Sequence, residues 1–263
     1  MTRLALVLLV LAAALSPTVS SPAAESAAPA ARVLIVADEF PAMRLLAQKL
    51  QAAENLASTL VWQTNLPTDL SPFAAIVVYI HMGLQESAEK AMVAYTRNGG
   101  RLVALHHSIS SGKRKNKEWF PFLGVTLPQG DVRQGGYKWI EPATLEVVNL
   151  APDHFITTHK VSYPSRISWQ SPGSPADGKA LPGFVLKESE VYLNHQLTGP
   201  HTILLGFRYT DPKSGEVYCQ PRAGWVRPAD KGWIVYLKPG HSGQDFEMDA
   251  YWRIVANAVI WKP

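Results

Sequence analysis

The stretch "GGRLVALHHSIS", residues 99–110, decides the fold. Two glycines open it, the apolar run Leu102–Leu105 follows, and His106 and His107 stand side by side where that run ends. Just upstream, Ala88, Ala91, Met92 and Tyr95 recur at helical spacing and stop at Asn98-Gly99-Gly100, a helix-ending signal. Before that helix lies another apolar run, "AAIVVYIH", ending in His81. Strand, amphipathic helix and strand in succession make a βαβ unit, whose two strands run parallel.

The same alternation continues outward. "RVLIVADE" predicts a first strand with Asp38 and Glu39 at its end, and Met43, Leu46, Ala47 and Leu50 predict a helix over 41–54. "STLVWQTN" predicts a further strand. Residues 125–222 are rich in Pro and Gly with β-like runs such as "TLEVVN" and "TILLGFRYT", and predict a β-rich insertion within one domain. "AGWVRP" and "GWIVYLKPGH" predict two closing strands. A last helix over 245–261 follows, with Tyr251, Ile254, Val255 and Ala258 on one face and Asp245 as N-cap. The expected class is α/β, a mostly parallel sheet with helices on both faces.

In such sheets ligands bind beyond the carboxyl ends of the strands. Asp38, Glu39, His81, His106 and His107 all fall there. Along a continuing strand the last two would face opposite ways; a sharp turn after Leu105 would let both reach one cleft. Further polar groups follow strands downstream: Asp153 and His154 in "PDHFITTH", Glu190 and Tyr192 in "KESEVYLNH", His241 in "LKPGHSG". Imidazoles and carboxylates suit proton transfer near neutral pH and also ligate metals. No fixed-spacing zinc motif occurs, so no cofactor is assigned, though a divalent metal is compatible with these donors. His159, His195 and His201 read as loop or surface histidines. "GKRKNKE", residues 112–118, reads as a solvated loop, and most tryptophans read as core.

The chain has 263 residues, 47% hydrophobic and 17% charged, with a net charge of +4. That balance is ordinary for a globular protein and gives no sign of a nucleic-acid partner. The N-terminus carries Arg3, an apolar run from Leu4 to Leu15 and then small residues. The run is too short to span a bilayer and predicts a signal peptide over 1–24, a linker over 25–31 and a domain over 32–263. The expected location is therefore periplasmic or extracellular, with no membrane span after processing. Cys219 is the single cysteine, so no internal disulfide forms.

Taken in order, "GGRLVALHHSIS", "EWFPFLG", "PDHFIT", "SEVY" and "AGWVRPADKGWIVYLKPGHS" resemble the ThuA-like (trehalose-utilisation) family over about 32–263. The resemblance implies a flavodoxin-like, class I glutamine amidotransferase-like fold. It also implies action on a small-molecule carbohydrate, at the level of disaccharides or keto-glycosides. The oligomeric state is left open. By motif position it implies site roles for His106, Asp153, His154, Glu190, Tyr192 and His241. His106, Glu190 and His241, with His107 in support, are the expected catalytic groups; Asp38, Glu39, His81, Asp153, His154 and Tyr192 the expected substrate contacts. The alternative is a non-catalytic carbohydrate-binding module. Amidotransferases of this fold carry a nucleophilic Cys at the turn after the strand, where this chain has His106, so glutamine hydrolysis is not expected. The His-Asp pair usual after the family's first strand is replaced by "ADEF", and the usual Gly-Lys-Gly-Arg by "DKGW".

Overall fold

Val33 to Ala37 have no exposed surface, which their unbroken apolar run requires of a strand covered on both faces. In the computed structural model, which describes residues 32–263, this strand β1 (Arg32–Ala37) is followed by helix α1 (Phe40–Glu54) and β2 (Ala57–Val61). Next come β3 (Phe73–Tyr79), α2 (Glu86–Arg97), β4 (Arg101–Leu105), the short helix α3 (Trp119–Leu123) and β5 (Val125–Thr126). The middle holds β6 (Lys138–Asn149), a one-turn α4 (Phe155–Thr158), β7 (Ser165–Ser168), β8 (Ala180–Leu193) and β9 (Gln196–Leu197). The chain closes with β10 (Thr202–Thr210), β11 (Val217–Ala229), β12 (Gly232–Leu237) and α5 (Asp249–Ile260).

Ten of these strands form one sheet in the order β2-β1-β3-β4-β12-β11-β10-β6-β8-β7. From β2 to β12 all neighbours are parallel; from β12 onward all are antiparallel. The α/β architecture is the expected one. The β-rich segment is no separate layer, since its strands continue the sheet beyond β12. Side-chain alternation sorts the two faces: Val33 and Ile35 pack with Met43 and Leu46 of α1 and Ile254 of α5, while Leu34 and Val36 pack with Ala88 and Met92 of α2.

Long strands β6 and β8 pair along their length but not in uniform register. Ile140 faces Val191 and Ala143 faces Ser189, so Glu141 and Pro142 together oppose Glu190. One step on, Leu145 faces Leu186, which leaves Lys187 and Glu188 as the doubled pair, with Glu188 at φ 52°. Bulges of this kind bend and twist a ribbon. Here they turn the end of the β6–β8 ribbon over the carboxyl ends of β4 and β12, strands that are not its sheet neighbours.

Four local expectations change. "STLVWQTN" is a strand only to Val61, because Gln63 turns away to donate to the Gly83 carbonyl at 3.0 Å and accept from the Gln85 amide at 2.8 Å. Asp245 does not cap α5; it lies in a 3-10 turn and its Oδ2 accepts from Ser189 Oγ and from the amides of Gly240 and His241. The 112–118 segment is not wholly solvated. Lys113 is buried and donates to the carbonyls of Ile80 and His81, and Asn116 is buried against Glu89. His195 is no surface histidine; it is fully buried, with Nε2 on the Arg222 carbonyl and its ring against Trp225. The segment 1–31 read as signal peptide and linker lies outside the described residues.

Candidate functional site

Strand β4 stops at Leu105, and His106 bends the chain with a positive φ of 31° into a 3-10 turn. A side chain other than glycine is strained in that region, and such strain gathers at functional turns. The surroundings hold the turn in place: Tyr236 Oη donates to the His106 carbonyl at 3.0 Å, and Trp119 Nε1 to the Ser108 carbonyl at 2.8 Å. The turn settles the question of the paired histidines. Both rings are buried and approach one carboxylate, with centroids 4.3 Å apart.

That carboxylate is Glu190, delivered by the bent end of β8. Its Oε2 lies 2.8 Å from His106 Nε2, 3.7 Å from His107 Nε2 and 3.4 Å from His241 Nδ1. His241 comes from the turn after β12, where Gly240 takes φ 112° and a side chain on it would run into Tyr251 Oη. Asp245 holds the two amides of that turn, at 3.1 and 2.9 Å. The same carboxylate oxygen takes Ser189 Oγ at 2.7 Å, so it ties the His241 turn to the β8 ribbon. Tyr79 Oη donates to the His241 carbonyl at 2.9 Å.

The electrostatics follow from these contacts. Burial works to raise the Glu190 carboxyl, but the hydrogen bond with His106, the contact with His241 and the charge on His106 outweigh it and hold it at about 2. Glu190 is therefore ionised. Burial, reinforced by the neighbouring His106 and His81, pushes His107 well below the usual histidine range and keeps it neutral. His241 moves the other way, raised first by its contact with Glu190 against a smaller effect of burial.

The remaining expected residues divide sharply. His81 stacks on His107 with centroids 4.2 Å apart, and its Nδ1 meets Glu39 Oε1 at 2.8 Å, so both stand at the rim. Asp38 has its carboxylate occupied by the amides of His81 and Met82 and shapes the loop. Tyr192 stacks on the His106 ring at 4.9 Å. Asp153 and His154 are not brought to the cluster. His154 accepts from the Ile156 amide as the N-cap of α4 and packs on Trp261, past the far end of α5, while Asp153 is exposed. A residue that caps a helix turn has its ring nitrogen committed there.

Two contributors escape the sequence reading. Glu141 reaches His241 Nε2 at 3.2 Å, and nothing in "WIEPAT" marks it apart from a carboxylate before a proline. Trp139 faces Tyr192 across the ribbon and therefore shares the face of Glu190, with half of its surface exposed. Cys219 lies on β11 opposite Arg208, in the antiparallel half of the sheet, and a thiolate amidotransferase has no nucleophile at this turn. The donors that could hold a cation are one ring nitrogen each of His106, His107 and His241 and a Glu190 oxygen, all within 4.8 Å of one another.

A family model described as ThuA, trehalose utilisation, matches residues 38–262. No curated protein sequence matches. Among solved structures the chain is similar to a ThuA-like protein from Bacteroides uniformis, at 18% identity and TM-score 0.56, covering 91% of this chain and 94% of that one. A ThuA-like protein from Parabacteroides merdae gives 13% identity and TM-score 0.59 over 88% and 89% of the two chains. A β-galactosidase from Rahnella sp. R3 gives 13% identity and TM-score 0.51, covering 86% of this chain but only 30% of that one. At these identities the structural likenesses concern the fold alone.

Proposed function

This chain belongs to the ThuA, trehalose-utilisation family, and from that premise we propose that it processes a disaccharide or keto-glycoside at the Glu190 cluster. One observation carries the reading: a single ionised carboxylate receives three imidazoles at 2.8, 3.7 and 3.4 Å at the carboxyl ends of parallel strands. Such a group exchanges protons with a sugar hydroxyl or with a carbon beside a carbonyl. His106 is the group at the reacting centre, His107 its buried support, and His241 the half-exposed imidazole that meets the sugar and stabilises developing charge. Exposed Trp139 offers a flat apolar face to a pyranose ring at the rim.

The test is a screen of purified protein against glycosides and 3-keto-glycosides, with turnover and binding measured separately. Turnover by wild type, lost in Glu190→Gln while the fold persists, supports the reading. Neither binding nor turnover of any member of either class defeats it. Binding without turnover replaces it with a carbohydrate-binding module on the same site. The apolar run from Leu4 to Leu15 further supports an exported protein, and mass spectrometry of the chain from its host should find the leading residues removed.

A further inference from the structure

We propose that His106, His107, His241 and Glu190 together seat one divalent first-row transition-metal ion. Metal–nitrogen and metal–oxygen bonds of about 2.0–2.2 Å place the corners of a tetrahedral set about 3.4 Å apart. Here the carboxylate oxygen stands 2.8, 3.7 and 3.4 Å from the three ring nitrogens, and all four donor atoms lie within 4.8 Å of one another. Closing the widest separation from 4.8 Å to about 3.4 Å asks each donor to move by at most about 0.7 Å.

The hydrogen bonding around the donors points the same way. His106 Nδ1 lies 2.5 Å from the Lys238 carbonyl, which can only accept. Nδ1 therefore carries a proton, and Nε2, turned to the Glu190 oxygen, is the nitrogen a cation would take. His241 places Glu141 Oε2 at 3.2 Å from Nε2, while its Nδ1 is buried, turned to Glu190 and without an aligned hydrogen bond among the described residues. A backbone carbonyl and a carboxylate on the outer nitrogens of two imidazoles are the partners that orient metal-ligating histidines. His107, almost wholly buried, has Nδ1 without a partner among the described residues and Nε2 3.7 Å from Glu190. That Nε2 separation exceeds a hydrogen bond, so the Nε2 lone pair is open to an ion, whereas Nδ1 stays unpaired among the described residues with or without one.

The donor chemistry selects the ion. Three imidazoles and one carboxylate suit zinc, cobalt, nickel, iron or manganese, and not the all-oxygen preference of calcium or magnesium. His241 and Glu141 lie at the accessible side, so further positions on the ion open there. The inference rests on the carbohydrate reading for its substrate; with the ion seated, His106 and Glu190 act as its ligands rather than as proton carriers, and the ion polarises a sugar oxygen there.

The experiment uses the full mature chain stripped with a chelator and titrated with zinc chloride by calorimetry and with cobalt chloride by visible absorption. One equivalent should bind, with the d–d bands of cobalt held by nitrogen donors. His241→Ala should weaken zinc at least 100-fold, and Glu190→Gln and His106→Ala likewise, whereas His154→Ala should leave it unchanged. Circular dichroism of each apo variant separates lost ligands from lost fold, and His241→Ala, at the half-exposed position, keeps the test open if a buried variant unfolds. Failure of the wild type to take up either ion, or equal uptake by wild type and His241→Ala, overturns the proposal. Stripped protein that still turns over sugars at full rate and binds no zinc overturns the metal and leaves the carbohydrate reading standing. Zinc bound by these four residues in a protein inert to every sugar leaves the metal standing and removes the other.

Discussion

Replacing Asp245 by Ala should cost about 3–4 kcal/mol, a large share of the stability of a domain this size. Its Oδ2 collects three donors, Ser189 Oγ at 2.7 Å, His241 N at 2.9 Å and Gly240 N at 3.1 Å, and the residue is 1% exposed. A buried donor left without an acceptor costs about 1–3 kcal/mol, and water entering the small void recovers part of it, leaving roughly 1 kcal/mol for each of the three. For a chain of this length 1 kcal/mol moves Tm by about 2–4 °C, so Tm should fall by about 10 °C. Asp245→Asn keeps one carbonyl oxygen where Oδ2 stands and should lose only about 1 kcal/mol. Urea unfolding at pH 7 and calorimetry measure both. If Asp245→Ala lies within 1 kcal/mol of wild type, or Asn is as damaging as Ala, the three-donor account fails.

Three other outcomes follow from the same geometry. At position 106, φ of 31° favours glycine, so His106→Gly should be about 1 kcal/mol more stable than His106→Ala, the reverse of the usual order; equal stabilities would show the turn to be relaxed. Burial lowers the Lys113 ammonium from 10.5 to about 8, so between those pH values the unfolded chain binds more protons and this group adds stability as pH rises. Stability of wild type relative to Lys113→Met should therefore climb by about 2 kcal/mol over that window, and a flat difference would refute the burial argument. Trp139→Ala should weaken sugar binding about tenfold, worth 1–1.5 kcal/mol of stacking, with Tm nearly unchanged; equal affinity in an isothermal titration would remove Trp139 from the site.

What the sequence disclosed was what periodicity encodes. The runs at 33–37, 75–79 and 102–105 are buried on both faces, and the helices between them carry one apolar side, so the parallel half could be read directly. The histidine turn was legible as a place but not as a conformation, because alternation and a sharp bend predict different faces for His107. Glu190 and His241 were visible as polar groups after strands, but their site roles came from the resemblance; no local pattern brings residues 84 and 135 positions beyond His106 to its ring. Asp245 looked like a helix cap since it precedes an amphipathic run. Its true partners, Ser189 and the 240–241 amides, are set by tertiary approach. Asp153 and His154 were drawn toward the site by motif and by their place after a strand, although a His two residues before a free helical amide is also a cap. Lys113 and His195 were misplaced for a common reason. Composition puts such side chains in water, and backbone carbonyls that need donors can override it.

The paired bulges of the β6–β8 ribbon turn the site into a matter of counting. One extra residue on β6, at 141–142, is offset by one extra on β8, at 187–188, so the strands are back in step by Leu145 and Leu186. Because side chains alternate strictly, loss of one residue from a single strand would exchange inside for outside along everything beyond it. Deleting Pro142 alone would carry Glu141 and Trp139 to the opposite face of the ribbon. Deleting Pro142 and Glu188 together would restore the parity but flatten the bend that carries Glu190 over β4. The ribbon therefore tolerates substitution far better than any change of length. Chains that keep this site should hold Glu190 and its site neighbours Trp139, Glu141 and Tyr192, vary in the identity of the other residues of 138–145 and 186–193, and keep the number of residues fixed.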